Sequence, residues 1–286
     1  METKAVVTKK ITKTTIARHL GISRGMLYYR HKRPVIDEEI KRQIEAVLVE
    51  HKAYGHKRIA PELKLNKKRI LRVMKKFNIK PYRRRGKKPN KKEDTGKAAE
   101  EDAINIYKLL CPIAPNIVWV SDFTYIKFKG RFIYLATIMD MFTREIIGIA
   151  ISRFHNQNLV MEAFMDAERK TKTHPQYLHS DQGSEYTSSD YKIYVAGKQI
   201  TISFADKASP WQNGFQESFY GKFKVDLGHV EQFETLGELI EAIYQTMYYY
   251  NNKRRHTSLN MSPVQFRLNY YINKETLEHL FKEMGT

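Results

Sequence analysis

Three β-rich runs follow one another with almost no chain between them, and this limits the fold more than any other feature. Ile117 to Phe128, Phe132 to Asp140 and Glu145 to Ser152 are joined only by Lys129-Gly130-Arg131 and Met141-Phe142-Thr143-Arg144. Links this short cannot hold a crossover, so the runs are expected to form an antiparallel meander. Beyond them the period changes. Leu159, Val160, Ala163, Phe164 and Ala167 share one helical face over 158–171. Tyr177 to Ser180 reads as a short strand, followed by a helix near 188–198 and a strand at 200–204. Long helices are expected at about 212–227 and 234–251, and a short one from Ala103 to Leu110 precedes the meander. The pattern is that of an α/β domain built on a mixed sheet.

Three acids stand in or just beyond these elements. Asp122 sits in Trp119-Val120-Ser121-Asp122-Phe123-Thr124-Tyr125-Ile126, inside the first run. Asp181 sits in His179-Ser180-Asp181-Gln182-Gly183-Ser184-Glu185-Tyr186, where Gly183 and Ser184 break the strand. Glu217 sits in Gln212-Asn213-Gly214-Phe215-Gln216-Glu217-Ser218-Phe219, a helical stretch, with 35 residues between it and Asp181. Most Asp and Glu are merely solvated. Three that converge would repel one another unless cations bind, and hard oxygen ligands suit Mg²⁺ or Mn²⁺. Glu185 and Asp206 are weaker ligand candidates, and His179 fits a positioning or internally satisfied strand residue.

The charge is lopsided. Residues 1–100 hold 30 Lys and Arg against 10 Asp and Glu, whereas residues 101–286 hold 20 against 21. A basic arm on a near-neutral module points to nucleic acid. Residues 1–33 read as a helix-turn-helix module. Ile16, Ala17, Leu20, Ile22 and Leu27 keep helical spacing across Gly21, and the second helix presents Arg24, Tyr28 and Arg30. Residues 34–80 read as a second helical DNA-binding module. Asp37, Glu38 and Glu39 suit the start of its first helix, and Asn66 caps its last. That last helix has Lys67, Lys68, Arg69, Arg72, Lys75 and Lys76 on one face, with no acid among them to offset them. Residues 81–100 form a basic linker carrying Arg83, Arg84 and Arg85, too poor in apolar residues to fold alone. The catalytic module then spans 101–270, and a helical tail 271–286. The single cysteine, Cys111, excludes an internal disulfide and fits a reducing cytoplasm, where a DNA-binding chain would associate with the nucleoid. No apolar run reaches membrane-spanning length.

The acid motifs, in this order and spacing, resemble the DDE core of retroviral-type integrases, and more closely the insertion-sequence-three family of bacterial transposases. Lys224, seven residues after Glu217, belongs to the same pattern. Tyr249-Tyr250-Asn251-Asn252-Lys253-Arg254-Arg255-His256 resembles the family's C-terminal signature, making Lys253 and Arg254 DNA-contact candidates. Tyr54-Gly55-His56-Lys57-Arg58-Ile59 resembles the helical module upstream of such cores. The family departs from this chain before the glutamate, where an Asp-Asn pair is usual and Gln212-Asn213 stands here. The resemblance implies a ribonuclease-H-like sheet in which the first and fourth strands are neighbours, so that Asp122 and Asp181 meet. It implies two ions per site, with Asp122 bridging both, Asp181 holding one and Glu217 the other. It also implies cleavage at the ends of an element and strand transfer by the freed 3′-hydroxyl. Terminal inverted repeats, target DNA, further copies of the chain and a helix-turn-helix partner encoded upstream are the implied partners. The alternatives are a nuclease that cuts without joining and an inactive DNA-binding relative.

Overall fold

A computed structural model describes residues 12–28, 33–83, 105–106, 111–206 and 213–284. The chain divides into two compact units, one of residues 1–50 with 55–80, the other of residues 51–54 with 81–286.

The first unit is helical. Helix α1 (Lys13–His19) starts at Thr12, whose Oγ1 accepts the Thr15 N–H, and a 3-10 turn follows at Arg24–Tyr28. Gly21, at φ +63°, reverses the chain between them. The sequence led us to expect a full second helix here and an apolar seam. Of that seam Ala17 is buried, whereas Ile16 and Leu20 are exposed. Seven residues of helix and one tight turn have too little area to enclose it. Helices α2 (Arg33–Glu50), α3 (His56–Glu62) and α4 (Lys67–Lys76) complete the unit around Ile40, Ile44, Ile59, Ile70 and Val73. Asn66 caps α4 as expected, its Oδ1 taking the Lys68 N–H at 2.8 Å. Helix α2 begins four residues before Asp37, so that acid lies beyond the first turn instead of serving its dipole.

The second unit is the expected ribonuclease-H-like arrangement. Strands β1 (Val118–Phe128), β2 (Arg131–Asp140) and β3 (Ile146–Ser152) form the antiparallel meander. Helix α5 (Gln157–Thr171) leads to β4 (Tyr177–Ser180), and α6 (Ser184–Thr187) and α7 (Ser189–Ala196) lead to β5 (Thr201–Phe204). The helix expected near 188–198 is α7; the short α6, not expected, precedes it and is set apart by Ser188, whose backbone is extended. Sheet order is β3-β2-β1-β4-β5, with β4 parallel to both its neighbours. Helix α5 packs on one face over Trp119, Ala136, Ile138 and Leu178. Helices α8 (Gly214–Leu227) and α9 (Leu236–Asn252) pack on the other over Ile126, Leu135 and Ile149. Gly148 permits the first contact: a Cβ there would stand 2.2 Å from the Ala163 carbonyl oxygen. The free edge of β3 is blunted. Asn251 takes the Ile146 N–H and donates to its carbonyl, and Asp166 takes the Ile149 N–H.

Helix α10 runs unbroken from Pro263 to Met284, so the tail expected to begin at 271 starts inside a helix. The expected helix at 103–110 lies mostly outside the described residues. Among the described residues no helix is long and apolar enough to cross a membrane.

Candidate active site

Two parallel strands bring the first two acids together. The β1–β4 register pairs Val118 with Tyr177 and Val120 with His179. Continued by two residues, it sets Asp122 beside Asp181, just past the end of β4. The Asp122 carboxylate accepts the Phe123 N–H at 2.8 Å, and that of Asp181 accepts the Gly183 N–H at 3.0 Å.

Helix α8 delivers the third acid, and a buried polar seam fixes where. Gln216, fully buried, donates to the Val120 carbonyl at 2.7 Å and to the Thr137 carbonyl at 3.3 Å, and accepts from the Thr137 hydroxyl. Tyr220 donates to the Asp122 carbonyl at 2.7 Å and meets the Thr137 hydroxyl at 2.8 Å. Glu217 thus rides on a turn of helix held to the β1 backbone at Val120 and at Asp122 itself. Two turns further on, Lys224 donates to Thr124 Oγ1 at 2.7 Å.

The electrostatics join these groups. The Asp122 carboxyl is pushed up to about 8, first by burial, then by Asp181 and Glu217, against the Phe123 N–H and the Lys224 ammonium. Asp181 is raised as well, by loss of hydration first and by Glu185 after it, against the Gly183 N–H. Negative charge is therefore crowded beyond what the protein compensates, and the donors are hard oxygens, a set that suits divalent cations. Among the described residues, no three His, Cys, Asp or Glu side chains draw together into a metal cage. The coupling runs through Asp122, and carboxylates of one sign do not close on one another unaided.

Other sequence candidates fall differently. His179 is buried, with Nδ1 2.8 Å from the Ser203 hydroxyl, which also takes the Ile106 N–H. Glu185 pairs with His155 at 2.9 Å, and Asp206 accepts from Asn105. Arg24, Lys68, Arg69 and Lys253 are exposed. Tyr28 is exposed too, with the Lys13 ammonium 4.7 Å from its ring centre. Arg83 donates to the Ala53 carbonyl, while Arg84, Arg85 and Arg30 lie outside the described residues. Arg72 is half-exposed and is held by both oxygens of Asp37, an acid that only the folded chain brings to that face. One expectation needs correcting. Arg254 is 3% exposed and bound to Asp226 at 2.5 Å, which makes it a packing group. Sequence reasoning missed Gln216, Tyr220 and Thr137, since a glutamine or threonine carries no sign of burial until the elements around it are assembled.

A family model described as an integrase core domain matches residues 112–210, and a second of the same description matches 198–263. Over 252 residues the chain is 35% identical to the transposase for insertion sequence element IS904 of Lactococcus lactis subsp. lactis, covering 82% of this chain and 98% of that protein. It is 29% identical over 155 residues to transposase InsF for insertion sequence IS3A of Escherichia coli, covering 53% and 54%. Among solved structures, the simian T-cell lymphotropic virus intasome in complex with PP2A regulatory subunit B56 gamma matches with TM-score 0.50 at 15% identity, over 74% of each chain, a likeness of fold.

Proposed function

The chain belongs to the insertion-sequence-three family of DDE transposases, and on that premise we propose that Asp122, Asp181 and Glu217 are its catalytic acids. The enzyme is a polynucleotidyl transferase that cleaves DNA and transfers the cut strand, and its chemistry depends on divalent metal. The observation that carries the assignment is the convergence of three elements: β1 and β4 in one register, and α8 fixed to β1 through Gln216 and Tyr220.

We infer two ions per site, Mg²⁺ or Mn²⁺, which the carboxylates of Asp122, Asp181 and Glu217 would hold. Cations bound there would stabilise charge on the attacking and leaving oxygens of an in-line phosphoryl displacement. The protein's part is placement. Gln216, Thr137 and Tyr220 fix the distance between the helix and strand that carry the acids, and buried, satisfied hydrogen bonds of this kind resist displacement. Lys224 holds a positive charge beside the acids, where a phosphodiester would lie. Water would attack first and leave a 3′-hydroxyl, which would then attack a second phosphodiester, so that joining needs no nucleotide cofactor. The substrates are the inverted repeats at the element's ends and a target duplex. Several copies of the chain would assemble on paired ends, with a helix-turn-helix protein encoded upstream as a further partner.

The test is metal-dependent cleavage and joining of DNA carrying the element's ends. Asp122→Asn, Asp181→Asn and Glu217→Gln should each lower the rate by roughly 10³-fold or more while leaving binding to the ends in place. Full strand transfer by Asp181→Asn would remove that acid from the site. Hydrolysis that never yields joined products would make the chain a nuclease.

A further inference from the structure

No acidic residue occurs between Asp122 and Asp140. That interval folds as the outer part of β1, the turn at Lys129-Gly130 and most of β2. Alternation gives this hairpin two faces. On one, Ile126, Phe128 and Ile133 are buried against α8 and α9. On the other, α5 covers the sheet only as far as Phe123 and Tyr134, which are partly buried against its core. Beyond that point the hairpin runs bare. Tyr125 is 57% exposed and Phe132 46%, their rings edge to face with centres 5.2 Å apart. Phe154, 70% exposed, follows β3, whose Ser152 pairs with Tyr134. Lys127, paired with Phe132 across the strands, is exposed on this same face, and Arg153 is exposed beside Phe154.

Exposed aromatic groups gathered in one place mark a surface meant to be covered. A hairpin that carries Lys127 and Lys129 and no acid of its own favours a polyanion to cover it. The patch and the acids lie on opposite faces of β1 and meet around its edge. Tyr125 lies three residues along the strand from Asp122, about 10 Å at strand rise, where β4, paired only with Val118–Val120, no longer covers that edge. The Lys224 ammonium, on the helix that carries Glu217, is 5.3 Å from the centre of the Tyr125 ring.

We propose that the β1–β2 hairpin is a DNA-binding shelf on which bases unpaired beside the acids stack, with Tyr125 and Phe132 meeting the bases and Lys127, on the same face, the phosphates. The proposal rests on the reading of the chain as a DNA transposase. A paired duplex keeps its base faces stacked inside, so the rings gain little from it. A frayed or splayed strand offers a flat face at every base, whatever the sequence, and stacking on aromatic side chains is how such strands are held. The phosphate contacts do not distinguish the two.

Binding of the full-length protein, measured by fluorescence anisotropy in EDTA so that no chemistry intervenes, tests this. The probes are a labelled duplex and the same duplex mismatched at its last few pairs. Tyr125→Ala with Phe132→Ala should weaken binding to the frayed probe by about fivefold or more and leave the paired probe nearly unchanged. Lys127→Gln should weaken both alike and reduce the log–log salt slope by about 1. Should the alanine pair fail to fold, Tyr125→Leu with Phe132→Leu keeps apolar volume and removes the flat rings, and the same loss on the frayed probe is expected. Wild-type affinity of a folded aromatic variant for the frayed probe would overturn the shelf. A variant that keeps its DNA affinity but sediments as a smaller species would show the patch to be a contact between copies, which also overturns it. If the wild-type protein bound neither probe, the fault would lie with the DNA reading itself.

Discussion

Arg254 and Gln216 exchange the roles their residue types suggest. A basic pair in a basic signature reads as a DNA contact, yet Arg254 is enclosed and neutralises Asp226, joining the end of α9 to the end of α8. Arg254→Ala would leave Asp226 uncompensated in a site with little water, at a cost of about 3–5 kcal/mol. A marked fall in Tm is expected, with unchanged DNA affinity in the fraction that stays folded. An unchanged Tm with weakened DNA binding would return Arg254 to the surface. Gln216 reads as an ordinary solvated helix residue, yet it lies fully buried one position before Glu217. Of the three acids, only their identity and spacing were readable in the chain. That Asp122 is the one most pressed by its neighbours follows from its place inside the sheet, since a strand edge and a helix surface leave the other two more open.

The strands were legible almost to the residue, because period-2 alternation and short links fix a meander without help from the rest of the chain. Helix α4 was legible as a helix but not in its electrostatics. Its basic face lacks an acid in sequence, and α2 supplies one: Asp37, 2% exposed, binds Arg72 and, at 2.9 Å, Lys76. The Arg72 guanidinium, and after it the Lys76 ammonium, hold the Asp37 carboxyl well below the usual carboxylate range. A folded-state value below the unfolded one gives stabilisation that is complete above the unfolded value, near 4, and is lost as pH falls through and below it. Asp37→Asn should therefore lower the Tm at neutral pH. The gap between variant and wild type should close on acidification below about pH 4. Thermal melts of both proteins across that range measure it, and a gap that widened in acid would contradict the pairing.

At the scale of the molecule, most of the basic excess lies in the first compact unit, which holds 21 Lys and Arg against 7 Asp and Glu, while the second holds 29 against 24. Lys68 and Arg69 remain exposed on α4 after Arg72 and Lys76 have been matched. Lys68→Gln with Arg69→Gln should weaken binding about equally on every DNA sequence and lower the salt slope by about 2, with the joining rate at saturating DNA unchanged. Loss of binding confined to one sequence would assign these residues to base reading instead. The sequence by itself determined the elements, the order of the catalytic motifs and the place of the basic excess, because periodicity, turn chemistry and net charge are local quantities that survive without a fold. Only the tertiary structure decided which charges are already neutralised, which polar groups hold α8 against β1, and how far α5 reaches along the hairpin. Those outcomes depend on residues tens to hundreds of positions apart sharing one low-dielectric interior, and no local pattern encodes that encounter.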